Sequence, residues 1–354
     1  MNTPGLLKCG GAVVALVIVS ACGTLRQPFD FAQGDKAGGD MPAAQSGAPF
    51  NATYVGRTLF VNGKPVTAAR LNPLPSYAEL VPDKSNSKNY DYIINDYGSY
   101  ASIFDYPKSV QQTGTLNGAG GQGCTNVLYG YGKKIIWNPG RNNYGVAEYR
   151  VPNKLIKTLS LDYSYTSSCA MNTTGDLAVG ILLGNSYSRG GQVVIFKNAA
   201  GSGKVYDTPL AKEYFDGYDP SGNLFADGFT NSSYNFGLVE LPKGSSKFVT
   251  IKTSNSPQFP GSVQWDGTYL TVFDQYTSET YQYTVSGTTA TLKNTVQLSG
   301  VGDCAQTWIV KGLLYCGDAD NGAGEVFKYP AGGSPTATLT GNFDFPLGAT
   351  AAQK

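Results

Sequence analysis

The chain has 354 residues, with 26 Lys and Arg against 25 Asp and Glu, a formal charge of +1, and no histidine. The missing histidine excludes Ser-His-Asp and Cys-His catalysis, His-ligated zinc or copper, and imidazole acid–base chemistry. A near-neutral chain without a basic run argues against a nucleic-acid partner, and 41% hydrophobic content argues against a structureless one.

Residues 1–21 carry Lys8, an apolar run from Ala12 to Val19, and then small residues. The run is too short to span a bilayer, which takes ~20 residues, and has the length of a secretory core. Val19-Ser20-Ala21-Cys22 resembles the bacterial lipobox. That resemblance implies cleavage before Cys22, lipidation of Cys22 and export to the outer membrane, periplasm or cell surface. A plain signal peptide with an incidental cysteine is the alternative. Residues 22–50, rich in Gly, Ala, Pro, Gln and Asp, read as a flexible tether. In 51–89, TLFVNGKPVTA predicts a hairpin on an Asn62-Gly63 turn, followed by an irregular strap.

From residue 90 onward the chain repeats. Apolar pairs entering a strand recur at IIND, IIWN, LAVG, LFADG, YLTVFD and LLYCGD. Ile93, Ile135, Ala178, Phe225, Leu270 and Leu314 are then 42, 43, 47, 45 and 44 residues apart. A period in this range marks a propeller or a similar array. Each repeat adds a further strand (FGLVELP, YQYTV, EVFKYP), a Thr/Leu/Val-rich segment, and a strand that ends in a glycine turn such as PSGN or WDGT. With 45 glycines, 24 tyrosines and only 14% charged residues, this predicts an all-β protein. The expected fold is a six-bladed β-propeller of four-stranded blades over 90–354. Leu347–Ala352 has no strand after it, and the first unit has none before it, so the C-terminal strand should close the ring.

The motifs GNLFADG and GLLYCGD resemble NHL-type six-bladed propellers, whose repeats carry a G-N-L-Y-V-A-D consensus. That resemblance implies the architecture and a choice of roles: binding scaffold, gluconolactonase-type hydrolase or lyase. Fold alone does not select among them.

On one face the repeat gathers the second-strand ends, the starts of the inner strands and the loops beside them. The candidate binding face comprises Asp96, Tyr97, Asn138, Tyr144, Tyr187, Asp216, Asp227, Phe229, Asp274, Tyr276, Asp303, Asp318 and Asp320. An aromatic-rimmed polar funnel of this kind would suit a glycan, a peptide or an oxygen-coordinated cation. The simpler reading is that Asp and Asn bond local backbone at strand ends. Asp216, Asp227, Asp274, Asp303 and Asp318 are the candidates for a Ca²⁺ site; no other cofactor is expected. Four cysteines remain after export, and they allow three pairings. Equivalent places in neighbouring repeats favour Cys124–Cys169, and a shared rim favours Cys304–Cys316, with free cysteines as the alternative. The leading reading is a membrane-tethered, non-catalytic binding module for an envelope glycan, peptide or protein. The alternative is a Ca²⁺-dependent lactonase or esterase of the gluconolactonase-like class.

Overall fold

The computed structural model describes residues 52–55, 58–61, 64–66, 90–96, 100–117, 123–124, 135–140, 145–151, 154–161, 166–183, 190–230 and 234–353. The chain divides into two compact units, 1–66 and 67–354. In the first, β1 (Ala52–Val55), β2 (Thr58–Val61) and β3 (Lys64–Val66) form an antiparallel sheet. Val61 pairs with Lys64; the Asn62-Gly63 turn itself lies outside the described residues. The signal segment, Cys22, the tether and the strap lie outside the described residues.

The second unit is built from strands. β4 (Tyr90–Asp96), β5 (Tyr100–Phe104) and β6 (Gly114–Asn117) pair in order, as do β7 (Ile135–Gly140), β8 (Gly145–Arg150) and β9 (Lys154–Ser160). Cys124 bridges Trp137 on the free side of β7, where an inner strand belongs. β10 (Thr166–Met171), β11 (Leu177–Ile181), β12 (Gln192–Phe196) and β13 (Lys204–Asp207) form a four-stranded sheet.

The next four-stranded run is β14 (Lys212–Tyr218), β15 (Leu224–Phe229), β16 (Phe236–Leu241) and β17 (Val249–Thr253). The run after it is β18 (Val263–Trp265), β19 (Leu270–Asp274), β20 (Glu279–Ser286) and β21 (Thr289–Gln297). A short parallel pairing of β17 with β21 joins these two runs at their outer edges into one eight-stranded sheet. β22 (Cys304–Val310), β23 (Leu313–Asp318), β24 (Ala323–Lys328) and β25 (Ala337–Leu339) complete the series. Finally β26 (Pro346–Gln353) pairs with β4, from Pro346–Asp96 to Gln353–Tyr90, so the last strand of the chain completes the sheet of the first repeat.

The sheets pack face to face, which is how hairpins too small to stand alone gain a core. Ala170, Ala178 and Val193 of one sheet meet Tyr218, Leu224 and Leu241 of the next. Phe273 and Val296 meet Ile309, Leu314 and Phe327. Ala349 and Ala351 of β26 lie among Phe104, Tyr315 and Val326. Each fully buried large side chain in these contacts stabilises the ring by about 1.5–3 kcal/mol.

Inner strands β10, β14, β22 and β26 each carry a bulge at a comparable place, between Thr166 and Cys169, Glu213 and Phe215, Cys304 and Thr307, and Pro346 and Gly348. A bulge adds one residue, so side chains on either side of it no longer alternate regularly. Polar side chains then connect neighbouring inner strands. Gln264 of β18 donates to the Ile309 carbonyl and accepts from the Ile309 amide of β22, both at 2.8 Å. Ser262 accepts from the Thr307 amide. Gln306 reaches beyond the adjacent sheet to the Gly123 carbonyl at 2.9 Å. Trp308, two residues on, packs against clusters that include Cys124 and Trp137 on one side and Tyr315 and Ala349 on the other.

Candidate functional site

The aspartates at the second-strand ends point inward and bind backbone. Asp274 accepts from the amides of Gln258 (2.7 Å), Phe259 (3.2 Å), Tyr276 (3.0 Å) and Thr277 (3.4 Å). Asp318 accepts from Gly302 (2.9 Å), Asp303 (3.1 Å) and Asn321. Asp227 accepts from Gly261 at 3.1 Å. All three are fully buried. They clamp the loops that lead into the inner strands, which is the simpler of the two readings for an Asp at a strand end. Asp303 is half-buried and Asp320 is exposed, beside Gly302. Asp96 and Asn138 fall within β4 and β7. Tyr97, Tyr144 and Tyr187 lie outside the described residues. Among the described residues no group of three or more His, Cys, Asp or Glu is arranged to hold a metal ion.

Above these clamps lies an aromatic rim. Tyr276 follows β19 and is 39% exposed; Tyr234, in the loop between β15 and β16, is 38% exposed. Phe229 is fully buried and supports the rim instead of facing solvent. Its ring meets Tyr234 edge-on at 5.0 Å, Phe259 at 4.8 Å and Tyr214 at 5.3 Å. Such pairs contribute about 0.5–1.5 kcal/mol beyond the area they bury. Tyr214 is the extra residue of the β14 bulge, so the irregularity in that strand carries a ring into the base of the rim. The Lys212 ammonium stands 5.2 Å from the Tyr234 ring centroid. Phe259 and Tyr276 are tied together through Asp274, and Gln275 donates to the Pro260 carbonyl. Tyr234 thus rests on the Phe229 ring, and the Tyr276 backbone on Asp274. The sequence reading found Tyr276 but not Tyr234, Tyr214 or Phe259.

A second feature lies below the surface, between β10–β11 and β14. Glu213, Asp216 and Asp227 are all buried, and each leaves one carboxyl oxygen with no hydrogen-bond partner. Ser167 donates to Glu213. Ser168 donates to Asp216 at 3.2 Å and accepts from the Asp216 amide at 2.9 Å. Gly180 makes room for this arrangement, since a Cβ there would collide with the Glu213 carboxyl and the Ser167 hydroxyl.

Burial favours the neutral acids and raises all three pKa values. Asp216 is pushed up to about 7 by burial, against the hydrogen bond from Ser168 that holds it down. Glu213 is raised well above the usual carboxyl range by burial and then by the charge of Asp216. Asp227 is also raised well above its usual value, by burial first.

Two disulfides bind the inner strands. Cys124 and Cys169 are joined with a Cα separation of 5.5 Å, and Cys304 and Cys316 at 5.8 Å. With a regular two-residue turn Cys304 would stand three residues out of register with Cys316. The β22 bulge brings Cys304 opposite Asp318, two residues from Cys316 and within bonding range.

No protein family's sequence profile matches the chain, and no curated protein is similar to it in sequence. Solved structures are similar in shape. One, from the crystal structure of a nidogen/laminin complex, is 11% identical with a TM-score of 0.58, covering 74% of this chain and 98% of its own. Another, a protein of unknown function from Bacteroides caccae, is 11% identical with a TM-score of 0.56, covering 75% of this chain and all of its own. At this identity the likeness concerns fold alone. Together with the sheet order it identifies the chain as an all-β protein of β-propeller fold.

Proposed function

We propose that this protein is a six-bladed propeller, exported and anchored by lipid at Cys22, whose loop rim binds an envelope glycan, peptide or protein without transforming it. The six-fold count is supported by the repeat spacing and by Cys124 standing where the second repeat needs its inner strand. Export is supported by the lipobox-like Val19–Cys22 and by two disulfides, which persist in oxidising compartments.

One observation carries the binding role: Tyr234 and Tyr276 are exposed in the loops after neighbouring second strands, while Asp274 and Asp318 at strand ends accept from backbone amides. Loops on a rigid scaffold commonly carry recognition. A hydrolase of the alternative kind needs carboxylates open to substrate, and Asp227, Asp274 and Asp318 are fully buried.

The test is sedimentation of the full chain, in detergent, with isolated cell-envelope material. The wild type should co-sediment, and the Tyr234→Ala/Tyr276→Ala double variant should remain in the supernatant while still unfolding in one cooperative transition. Equal sedimentation of the two would remove the rim from the account. Radiolabelled fatty acid should label the wild type and not Cys22→Ser; label on both, or on neither, would remove the anchor.

A further inference from the structure

We infer that one end of the propeller, formed by the turns after the first and third strands of its sheets, is a basic surface that lies on anionic phospholipid headgroups. This builds on the membrane attachment proposed above and extends it from Cys22 to the folded domain, leaving the loops after the second strands turned away from the lipid.

Lys108, Arg150, Lys197, Lys243 and Lys328 stand at or just beyond the ends of β5, β8, β12, β16 and β24, and all are exposed. Only β20, which ends on Ser286, breaks the series. Hydrogen bonds join these turns to those after the first strands, so both sets lie at one end. The Lys243 amide donates to Asn223 at 2.9 Å, and the Asn198 amide, beside Lys197, donates to Asp176 at 2.8 Å. Tyr329, beside Lys328, donates its hydroxyl to Asp266 of the preceding sheet at 2.6 Å and its amide to the Gly312 carbonyl at 2.9 Å. Neighbouring inner strands also lie level, Ser168 against Asp216 and Gln264 against Ile309, so successive sheets present the same end.

The acids of this end are drawn in. Asp105 and Glu240 are buried, the former 3.8 Å from the Lys108 ammonium. Asp176, Asp219 and Asp266 are half-buried and accept from turn amides. Exposed Asp207, Asp320 and Asp344 lie at the opposite ends of the strands. The total charge of +1 therefore hides a polarity from one end to the other. Cations spread over one end, one to a sheet, suit an extended anionic surface, where each acts as a point charge near the headgroups. The path of the chain selects lipid over a soluble polyanion. β4 begins at Tyr90, opposite Gln353 at the end of β26, so the chain from Cys22 joins the propeller at this basic end. A lipid held on Cys22 raises the effective concentration of headgroups there.

The experiment is vesicle co-sedimentation of the full chain carrying Cys22→Ser, so that no lipid on Cys22 takes part. Vesicles of phosphatidylcholine alone are compared with vesicles containing about one third phosphatidylglycerol. The ratio of the two affinities cancels any contribution of the apolar run from Ala12 to Val19. It should exceed about tenfold at low salt and fall toward one at high salt. In Lys197→Gln/Lys243→Gln/Lys328→Gln it should drop to within about twofold of one, whereas Lys293→Gln, midway along β21, should stay within about twofold of the parent. Cooperative unfolding of each variant confirms the fold. Equal affinity for the two vesicles, an undiminished ratio in the triple variant, or an equal loss in Lys293→Gln overturns the inference. Polygalacturonate bound by the parent and not by the triple variant, with no preference between vesicles, assigns the end to an acidic polysaccharide and overturns the lipid contact. Fatty-acid labelling decides the anchor on Cys22 separately, so the two readings fail independently.

Discussion

Two seams of the ring solve the same problem with different chemistry. Where β18 meets β22, the contact is made by neutral groups: the Gln264 amide satisfies both backbone groups of Ile309, and Ser262 meets Thr307. Where β10 meets β14, the corresponding contact is made by acids, with Ser167 and Ser168 against Glu213 and Asp216 and with Asp227 close by. Neutral groups keep their hydrogen bonds at any pH. Buried acids are accommodated there as neutral groups, because no ammonium or guanidinium offsets their charge in the contacts seen there once they ionise. A similar backbone arrangement therefore gives one seam that ignores pH and one that responds to it.

The largest expected effect follows directly. Asp216 titrates at about 7 in the folded protein against a usual value of 3.8, so the native state binds more protons than the unfolded chain between those two values. The stability it contributes is complete below about pH 4 and is lost as pH rises through 7; the shift corresponds to roughly 4 kcal/mol. Glu213, Asp227, Asp274, Glu240 and Glu325 are raised as well, so they act in the same direction. Denaturant melts from pH 4 to 9 should show stability falling with pH, and the Glu213→Gln/Asp216→Asn double variant should flatten most of the slope. A slope unchanged in that variant would mean that the acid seam is not its source.

The disulfides come next, one beside each kind of seam. Cys124–Cys169 closes 45 residues and Cys304–Cys316 closes 12. By loop entropy, their removal should cost about 4 and about 3 kcal/mol respectively. Equilibrium unfolding of the two double-serine variants measures both, and the reverse order would show that the longer loop is already ordered when unfolded. The smallest effect should be Gln264→Ala, about 2 kcal/mol, because it strands two buried backbone groups at once. That cost should be the same at pH 5 and pH 9; a cost that changes with pH would erase the distinction between the seams.

The strands, the hairpin of β2 and β3, the partner of β26 and both cysteine pairs could be read from the sequence, because turn residues and a steady period mark them. The bulges could not, since pairing register leaves no local mark. Glu213 was missed for that reason: on a regular strand it and Asp216 would face opposite sides, and only the extra Tyr214 brings them together. Phe229 was misplaced by a related shift. It stands two residues after Asp227, as Tyr276 does after Asp274, but β15 continues to Phe229 whereas β19 ends at Asp274. One ring is therefore buried and the other lies in a loop. Tyr234 was missed because it stands five residues beyond the end of β15, whereas Tyr276 stands two beyond the end of β19.

The most direct test of the binding rim is hydroxyl-radical footprinting of the full chain with and without isolated envelope material. Tyr234 and Tyr276 should lose reactivity together on addition, while exposed Val205 and Val249 on the outer strands keep theirs. Protection confined to the outer strands, or no protection of either tyrosine, would contradict the account.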